Sequence, residues 1–344
     1  MVSEAPPFWW KPSDWRPYFL YPLSYAYGRI ASRRLENAKR QHVDAPVLCV
    51  GNLTVGGQGK TPVAVAMAAA AKRAGFKPGF LSRGHGGSLS HPRLVDADHD
   101  LARHVGDEPL LLARHAPVAV TPDRAAGAKL LLENGIDFLI MDDGFQSARI
   151  HIDYALIVID GLRGIGNGHV IPGGPLRAPL TDQMRLADAV LKMGEGAASD
   201  PVVRNAARAG KPVYEARTRP RPAGISGKRV LAFAGIGFPD KFFSTVEEAG
   251  GKLALTRSFG DHHIYTDEDV EELWKVARSG ELLPVTTEKD AMRLRGSSES
   301  SDAFLKQVRV VEIETEFDLE DVPAQIVAET VQSYKSRRLR SGER

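Results

Sequence analysis

The sequence predicts an α/β fold: a mostly parallel sheet with helices on both faces, a smaller C-terminal α/β domain, and an N-terminal amphipathic helix. Three observations predict it. Val47 to Val50 is a short apolar run that gives way to a glycine-rich turn, and Pro62 to Ala74 beyond it is alanine-rich and helical in pattern. Strand, glycine loop and helix in that order are the context of a phosphate-binding loop, so the larger domain is P-loop NTPase-like. Short apolar runs then alternate with helical stretches through the rest of the chain, the mark of a parallel sheet covered on both sides. Finally, nine aromatics between Phe8 and Tyr27 precede a basic stretch, a pattern suited to a membrane interface.

Length and composition set the bounds. At 344 residues the chain can bury one large or two ordinary cores, and 43% hydrophobic with 26% charged residues is a globular balance. The expected division is residues 1–42 for the N-terminal helix, 43–220 for the P-loop domain and 221–344 for the smaller domain. Cys49 is the single cysteine, so no disulfide forms within the chain. No apolar run reaches the roughly 18 residues of a membrane span, and no secretory signal is read at the N-terminus. Two clusters of +4, at residues 28–42 and 335–344, sit within a net charge of +2, which leaves −6 elsewhere. Basic ends on an acidic body suit an anionic membrane surface and no nucleic-acid groove.

Taken in order, Trp15 to about Arg40 reads as one helix, bent near Pro22 and lying in the membrane interface; its bland alternative packs the aromatics on the protein's own core. In the P-loop, Gly56, Gly57, Gln58 and Gly59 turn backbone N–H groups toward phosphate oxygens, Lys60 reaches the β- and γ-phosphates, and Thr61 ligates Mg²⁺. Thr54 stands where the usual pattern has its first glycine. Lys77–Ser82 is a strand ending in Arg83-Gly84-His85-Gly86-Gly87. Leu101 to His115 reads as a helix, Val118–Thr121 as a strand and Arg124 to Asn134 as a helix. Phe138–Met141 ends in Asp142-Asp143, placed as Walker B carboxylates are, with both Asp142 and Asp143 candidate Mg²⁺ ligands. Tyr154–Ile159 and Ala189–Lys192 are further strands. Thr218 to Lys228 reads as a linker, and strand and helix alternate again from Arg229 to a final helix over about Leu319 to Lys335. Gly296 to Asp302 reads as a polar loop.

Several smaller clusters bear chemistry. Gly106-Asp107-Glu108-Pro109 opens a helix, where acidic residues commonly just oppose the dipole. Asp261-His262-His263 lacks a cysteine or third histidine at zinc spacing, so it is no metal cage. Thr286-Thr287-Glu288-Lys289-Asp290 has Lys and Asp adjacent, which excludes a guanine-reading N-K-x-D element. Pro172-Gly173-Gly174-Pro175-Leu176-Arg177 presents one arginine on a rigid loop.

These pieces, in this order and over nearly the whole chain, resemble the tetraacyldisaccharide 4′-kinase (lipid A 4′-kinase) family of Gram-negative bacteria. The resemblance rests on the P-loop, Ser82-Arg-Gly-His-Gly-Gly87, Gly106-Asp-Glu-Pro109, Asp142-Asp-Gly-Phe-Gln146, Pro172-Gly-Gly-Pro-Leu-Arg177, Asp261-His-His263 and Thr286-Thr-Glu-Lys-Asp290. It implies transfer of the ATP γ-phosphate, with Mg²⁺, to the 4′-hydroxyl of an acylated glucosamine disaccharide 1-phosphate at the cytoplasmic face of the inner membrane. It implies Asp107 as base, His262 or His263 as its partner, and Arg177 with Asp142/Asp143 near the phosphates. Two positions depart from the family pattern: Gln58 replaces a small hydroxyl residue, and Ala178 an acidic one. A different class, a membrane-associated regulatory ATPase of the partitioning type, needs a lysine near Val55 that this chain lacks.

Overall fold

A computed structural model describes residues 5–11, 13–57, 59–84, 91–147 and 149–342. The chain enters by a 3₁₀ turn, Pro7–Trp10, followed by α1 (Arg16–Phe19) and α2 (Tyr21–Glu36). The single helix expected from Trp15 to Arg40 is thus two. Pro17 and Pro22 each stand in a first turn, where a missing N–H costs nothing, and the chain restarts at Leu20 between them. Helix α2 buries a stripe of Ser24, Gly28, Ser32 and Leu35. Small residues let it lie close: Ser24 accepts the Gly173 N–H at 2.9 Å, and Ser32 donates to Asp182 at 2.6 Å. The aromatics on the other side face outward, opposite to the core-packing alternative. Trp15 is 71% exposed and Phe19 76%, whereas Phe8 and Trp9 are buried.

Next come β1 (Val47–Gly51), α3 (Lys60–Arg73), β2 (Pro78–Ser82), β3 (Arg93–Leu94), α4 (Ala102–Val105) and α5 (Asp107–Ala113). The helix expected over Leu101–His115 breaks at Gly106, whose φ of +92° is open to glycine and strained for other residues. Then follow β4 (Val118–Val120), α6 (Arg124–Glu133), β5 (Phe138–Asp142), β6 (Tyr154–Asp160), α7 (Leu180–Leu186), β7 (Ala189–Met193), α8 (Asp200–Arg208) and β8 (Val213–Pro220). Among the described residues these build a nine-strand sheet in the order β13-β8-β7-β6-β1-β5-β2-β4-β3, parallel except at its two edges. Strands β1, β2, β5 and β6 are buried along their whole length, which is why they read as continuous apolar runs. Helix α3 lays Val63, Ala64, Met67, Ala68 and Ala71 on one face, with Phe80, Phe138 and Ile140. On the opposite face Leu131, Met184 and Val202 cover Cys49, Leu139 and Ile157.

The order reverses direction at β1, with β5, β2 and β4 to one side and β6, β7 and β8 to the other. Ligands of open α/β sheets lie beyond the carboxyl ends of the strands at such a switch point, and that is where the P-loop emerges.

The smaller unit comprises β9 (Arg229–Ala234), α9 (Pro239–Glu248), β10 (Lys252–Ser258), α10 (Asp267–Ser279), β11 (Leu283–Thr287), α11 (Glu288–Leu294), α12 (Glu299–Leu305) and β12 (Arg309–Val311). Its four strands are parallel in the order β10-β9-β11-β12. The linker expected from Thr218 begins later, because β8 continues to Pro220. Part of the polar loop at Gly296–Asp302 is helical: Ser298 caps α12 by accepting the Ser301 N–H. The expected boundary at 220 does not separate the sheets, because the chain comes back. β13 (Ile313–Phe317) pairs antiparallel with β8, and α13 (Val322–Ser341) seats Val322, Ile326 and Val327 in the larger core. Arg217 and Glu316 face each other across that edge, a cross-strand pair that also keeps the edge charged.

Candidate active site

Gly59 caps α3 with φ +78°, so the loop turns straight into the helix and points its first N–H groups outward. Gly56 also has positive φ, at +99°. Thr54 is fully buried and bridges to Leu176, so the position that departs from the motif ties down the base of the loop. Gln58 and the His85–Gly87 part of the arginine loop lie outside the described residues. Lys60 and Thr61 start α3, mostly buried, on the wall of a cleft between the two units. Across the cleft stand Phe238, Lys241, His262 and Lys289.

The two Walker B carboxylates have different surroundings. Asp143, at φ +50°, has both oxygens engaged by the Arg177 fork at 3.0 and 3.1 Å, with Lys60 Nζ at 3.6 Å. Burial alone would raise its pKa, but Lys60 and Arg177 hold it well below the usual carboxylate range. Both oxygens of Asp143, a candidate metal ligand, thus anchor Arg177. Asp142 is buried, and its Oδ1 has no hydrogen-bond partner among the described residues. Burial and the nearby Glu108 charge push its pKa up to about 7. A buried carboxylate oxygen without a donor is a place for a cation. With the Thr61 hydroxyl it supplies two oxygens, enough for Mg²⁺ that takes its other ligands from phosphate and water. Among the described residues no group of three His, Cys, Asp or Glu could hold a metal alone.

Arg177 is itself oriented, donating from Nε to the Thr54 carbonyl at 2.9 Å and from Nη1 to Gln146 at 3.2 Å. Gln146 donates to Asn52 O and to Gln183, which in turn donates to Leu53 O and Ala178 O. Ala178, where an acidic residue was expected, is buried and lines a small cavity with Arg177 and Gln146. Arg124, on the neighbouring strand-to-helix turn, is 1% exposed with no partner for its guanidinium among the described residues. Its pKa falls to about 10, first through burial and then through Arg83, with Asp142 and Asp143 opposing.

Asp107 starts α5, 5% exposed, where Gly106 has broken the helix. His262 Nδ1 faces its Oδ2 at 3.7 Å, brought there by a turn in which His262 has φ +58° and donates its N–H to Gly235 O. His263 points elsewhere, bonded to Asp269 at 2.9 Å and stacked on Phe259. Of the two histidines left open by the sequence, only His262 meets Asp107. Asp107 also accepts two N–H groups of Arg293, Nε at 2.8 Å and Nη2, while Glu108 pairs with Lys289 at 2.5 Å. Burial raises the Asp107 pKa, and Arg293, Lys289 and His262 outweigh it, so the carboxyl stays ionised. The sequence reading missed Arg293. The only signal for it was its place on the helix that continues Thr286-Thr-Glu-Lys-Asp290.

Comparison with known proteins identifies the family. The profile of the family "Tetraacyldisaccharide-1-P 4'-kinase" matches residues 16–332. A tetraacyldisaccharide 4'-kinase of Mesorhizobium japonicum is 61% identical over 343 residues, covering 99% of this chain and all of that one. One of Agrobacterium fabrum is 52% identical over 345 residues, covering 100% and 99%. A crystal structure of LpxK from Aquifex aeolicus in complex with ATP aligns with a TM-score of 0.72 at 25% identity, over 91% of this chain and 99% of that one.

Proposed function

The chain belongs to the tetraacyldisaccharide-1-P 4′-kinase family and is an ATP-dependent kinase of lipid A biosynthesis, and from that premise we propose how its own residues divide the work. The acceptor is the 4′-hydroxyl of an acylated glucosamine disaccharide 1-phosphate. Phosphoryl transfer asks a protein for positioning, charge neutralisation and a base. The observation that supports the division best is that Lys60 and His262 line one cleft, with Asp107 beside His262. Lys60 neutralises the β- and γ-phosphates from the first turn of α3. Thr61 and Asp142 would hold Mg²⁺, which would supply positive charge beside the phosphates. Arg177, aimed by Asp143, Gln146 and Thr54, adds a further cation. Asp107 takes the acceptor proton, and His262 orients it and passes the proton on. Incubating purified protein with ATP, Mg²⁺ and the acylated disaccharide 1-phosphate, then weighing the product for one added phosphate, tests the reaction. The partitioning-type ATPase reading has no support from the comparisons.

We also propose that the N-terminal segment seats the enzyme in the cytoplasmic face of the inner membrane. No described helix is long and apolar enough to cross a membrane. Trp15, Tyr18, Phe19, Leu23 and Tyr25 are all at least 60% exposed on α1, α2 and the turn before them. Rings with a polar edge settle at headgroup level, and exposing such a patch to water is costly. Replacing Trp15, Phe19 and Tyr25 together with serine is expected to release the protein from anionic vesicles. Its melting temperature should change little, because these side chains are mostly exposed and lie outside the core. Loss of the fold with retained vesicle binding would sink the membrane role.

A further inference from the structure

Thr286-Thr-Glu-Lys-Asp290 and its helix α11 have no assigned part in the reaction, yet they meet the α5 carboxylates directly. Arg293 is 8% exposed at its side chain and uses most of its donors at once. Nε and Nη2 go to Asp107 Oδ2, and Nη1 goes to Gly235 O at 2.6 Å and Asp290 Oδ1 at 3.0 Å. Nη2 also lies 3.4 Å from His262 Nδ1. Asp290 is fully buried and held in turn by the Gly235 N–H, the Tyr265 hydroxyl and the Thr287 hydroxyl. One residue away, Lys289 holds Glu108. The smaller unit therefore carries a prebuilt fork whose free edge fits one carboxylate of the larger unit.

We propose that Arg293 is a positioning residue: anchored by Asp290 and Gly235, its guanidinium holds the Asp107 carboxylate in register with His262 when the two units meet. The proposal rests on Asp107 being the acceptor's base. The physical need is clear. A carboxylate buried at a helix start would gain a proton through desolvation and lose its basicity, and a free side chain would sample several rotamers. The groups facing Asp107 are Arg293 and Lys289 from α11, His262 from the turn after β10, and Glu108 from its own helix. Arg293 supplies the largest favourable charge and the only fork. Lysine could supply the charge but not span Asp107, Asp290 and Gly235 O together.

The test compares Arg293→Gln, Arg293→Lys and Asp107→Asn in the full-length enzyme, with pH–rate profiles at saturating ATP and acylated disaccharide 1-phosphate. Arg293→Gln is expected to lower kcat about 10²-fold with the KM for ATP within about twofold, and to move the acid limb up by about one pH unit. The sign follows from removing the charge that keeps Asp107 ionised, so protonation sets in at higher pH. Arg293→Lys is expected to leave the acid limb in place and lower kcat about tenfold. Asp107→Asn should be nearly inactive. Wild-type kcat and acid limb in Arg293→Gln, with Asp107→Asn inactive, would overturn the role of Arg293 and leave the base standing. An active Asp107→Asn would overturn the base itself. If Arg293→Gln does not fold, as judged by its melting, Arg293→Lys decides: wild-type kcat there overturns the positioning role.

Discussion

Lys60→Ala is expected to lower phosphoryl transfer on the order of 10³-fold while the protein stays folded. The two halves of that statement have separate grounds. Lys60 is 8% exposed in the first turn of α3, and its ammonium lies 3.6 Å from Asp143. Alanine there is a good helix residue, and Asp143 keeps the Arg177 fork, so no buried carboxylate is left alone. The transferring phosphoryl group, however, loses the cation placed closest to it by the loop. Circular dichroism should show an unchanged melting curve beside the lost turnover. Near-normal kcat in the folded variant would remove the P-loop from the mechanism.

The second large effect concerns Asp107 and His262. A sugar hydroxyl is a poor nucleophile at neutral pH, so a positioned base contributes roughly 10²–10⁴ in rate. Asp107→Ala would leave Arg293 with Asp290 as its one carboxylate and strand its buried Nε and Nη2 donors, which lowers stability and confuses the reading. Asp107→Asn keeps an acceptor oxygen for the Arg293 N–H groups while removing the basicity and the charge. Both Asp107→Asn and His262→Ala are expected to lower kcat with little change in ATP affinity. The double variant should be close to the worse single, since residues acting as a unit are not additive. Losses that multiply in the double variant would mean the two side chains act independently, despite lying 3.7 Å apart.

What the sequence revealed and what it hid divide along the range of the interactions. The P-loop and Asp142 were legible because each is a local arrangement, a strand end with its turn, and the residues that make it adjoin in the chain. The pairing of Asp143 with Arg177 was not, because it depends on how a distant loop packs. His262 and His263 are neighbours of one type, and a backbone turn at φ +58° chooses between them. Arg293 was missed for a related reason: it bonds Asp107 across the cleft and looks, along the chain, like any basic residue on a helix. Strand β13 did leave a signal. Ile313, Thr315 and Phe317 alternate with Glu314 and Glu316, a period of two just before the final helix that was not read as a strand.

The returning strand also governs how the smaller unit can move. Two crossings join it to the larger sheet, one after Pro220 and one at Glu312, and they run side by side, with Arg221 N–H bonded to Glu312 O at 2.9 Å. A body on one tether can turn about any axis. Two adjacent tethers, the second with only Glu312 between β12 and β13, leave it fewer ways to turn. His262 and Arg293 sit on the same tethered unit, and both reach Asp107. The larger sheet, which carries the exposed N-terminal rings, is the frame, and the two adjacent crossings tie the unit bearing His262 and Arg293 to it.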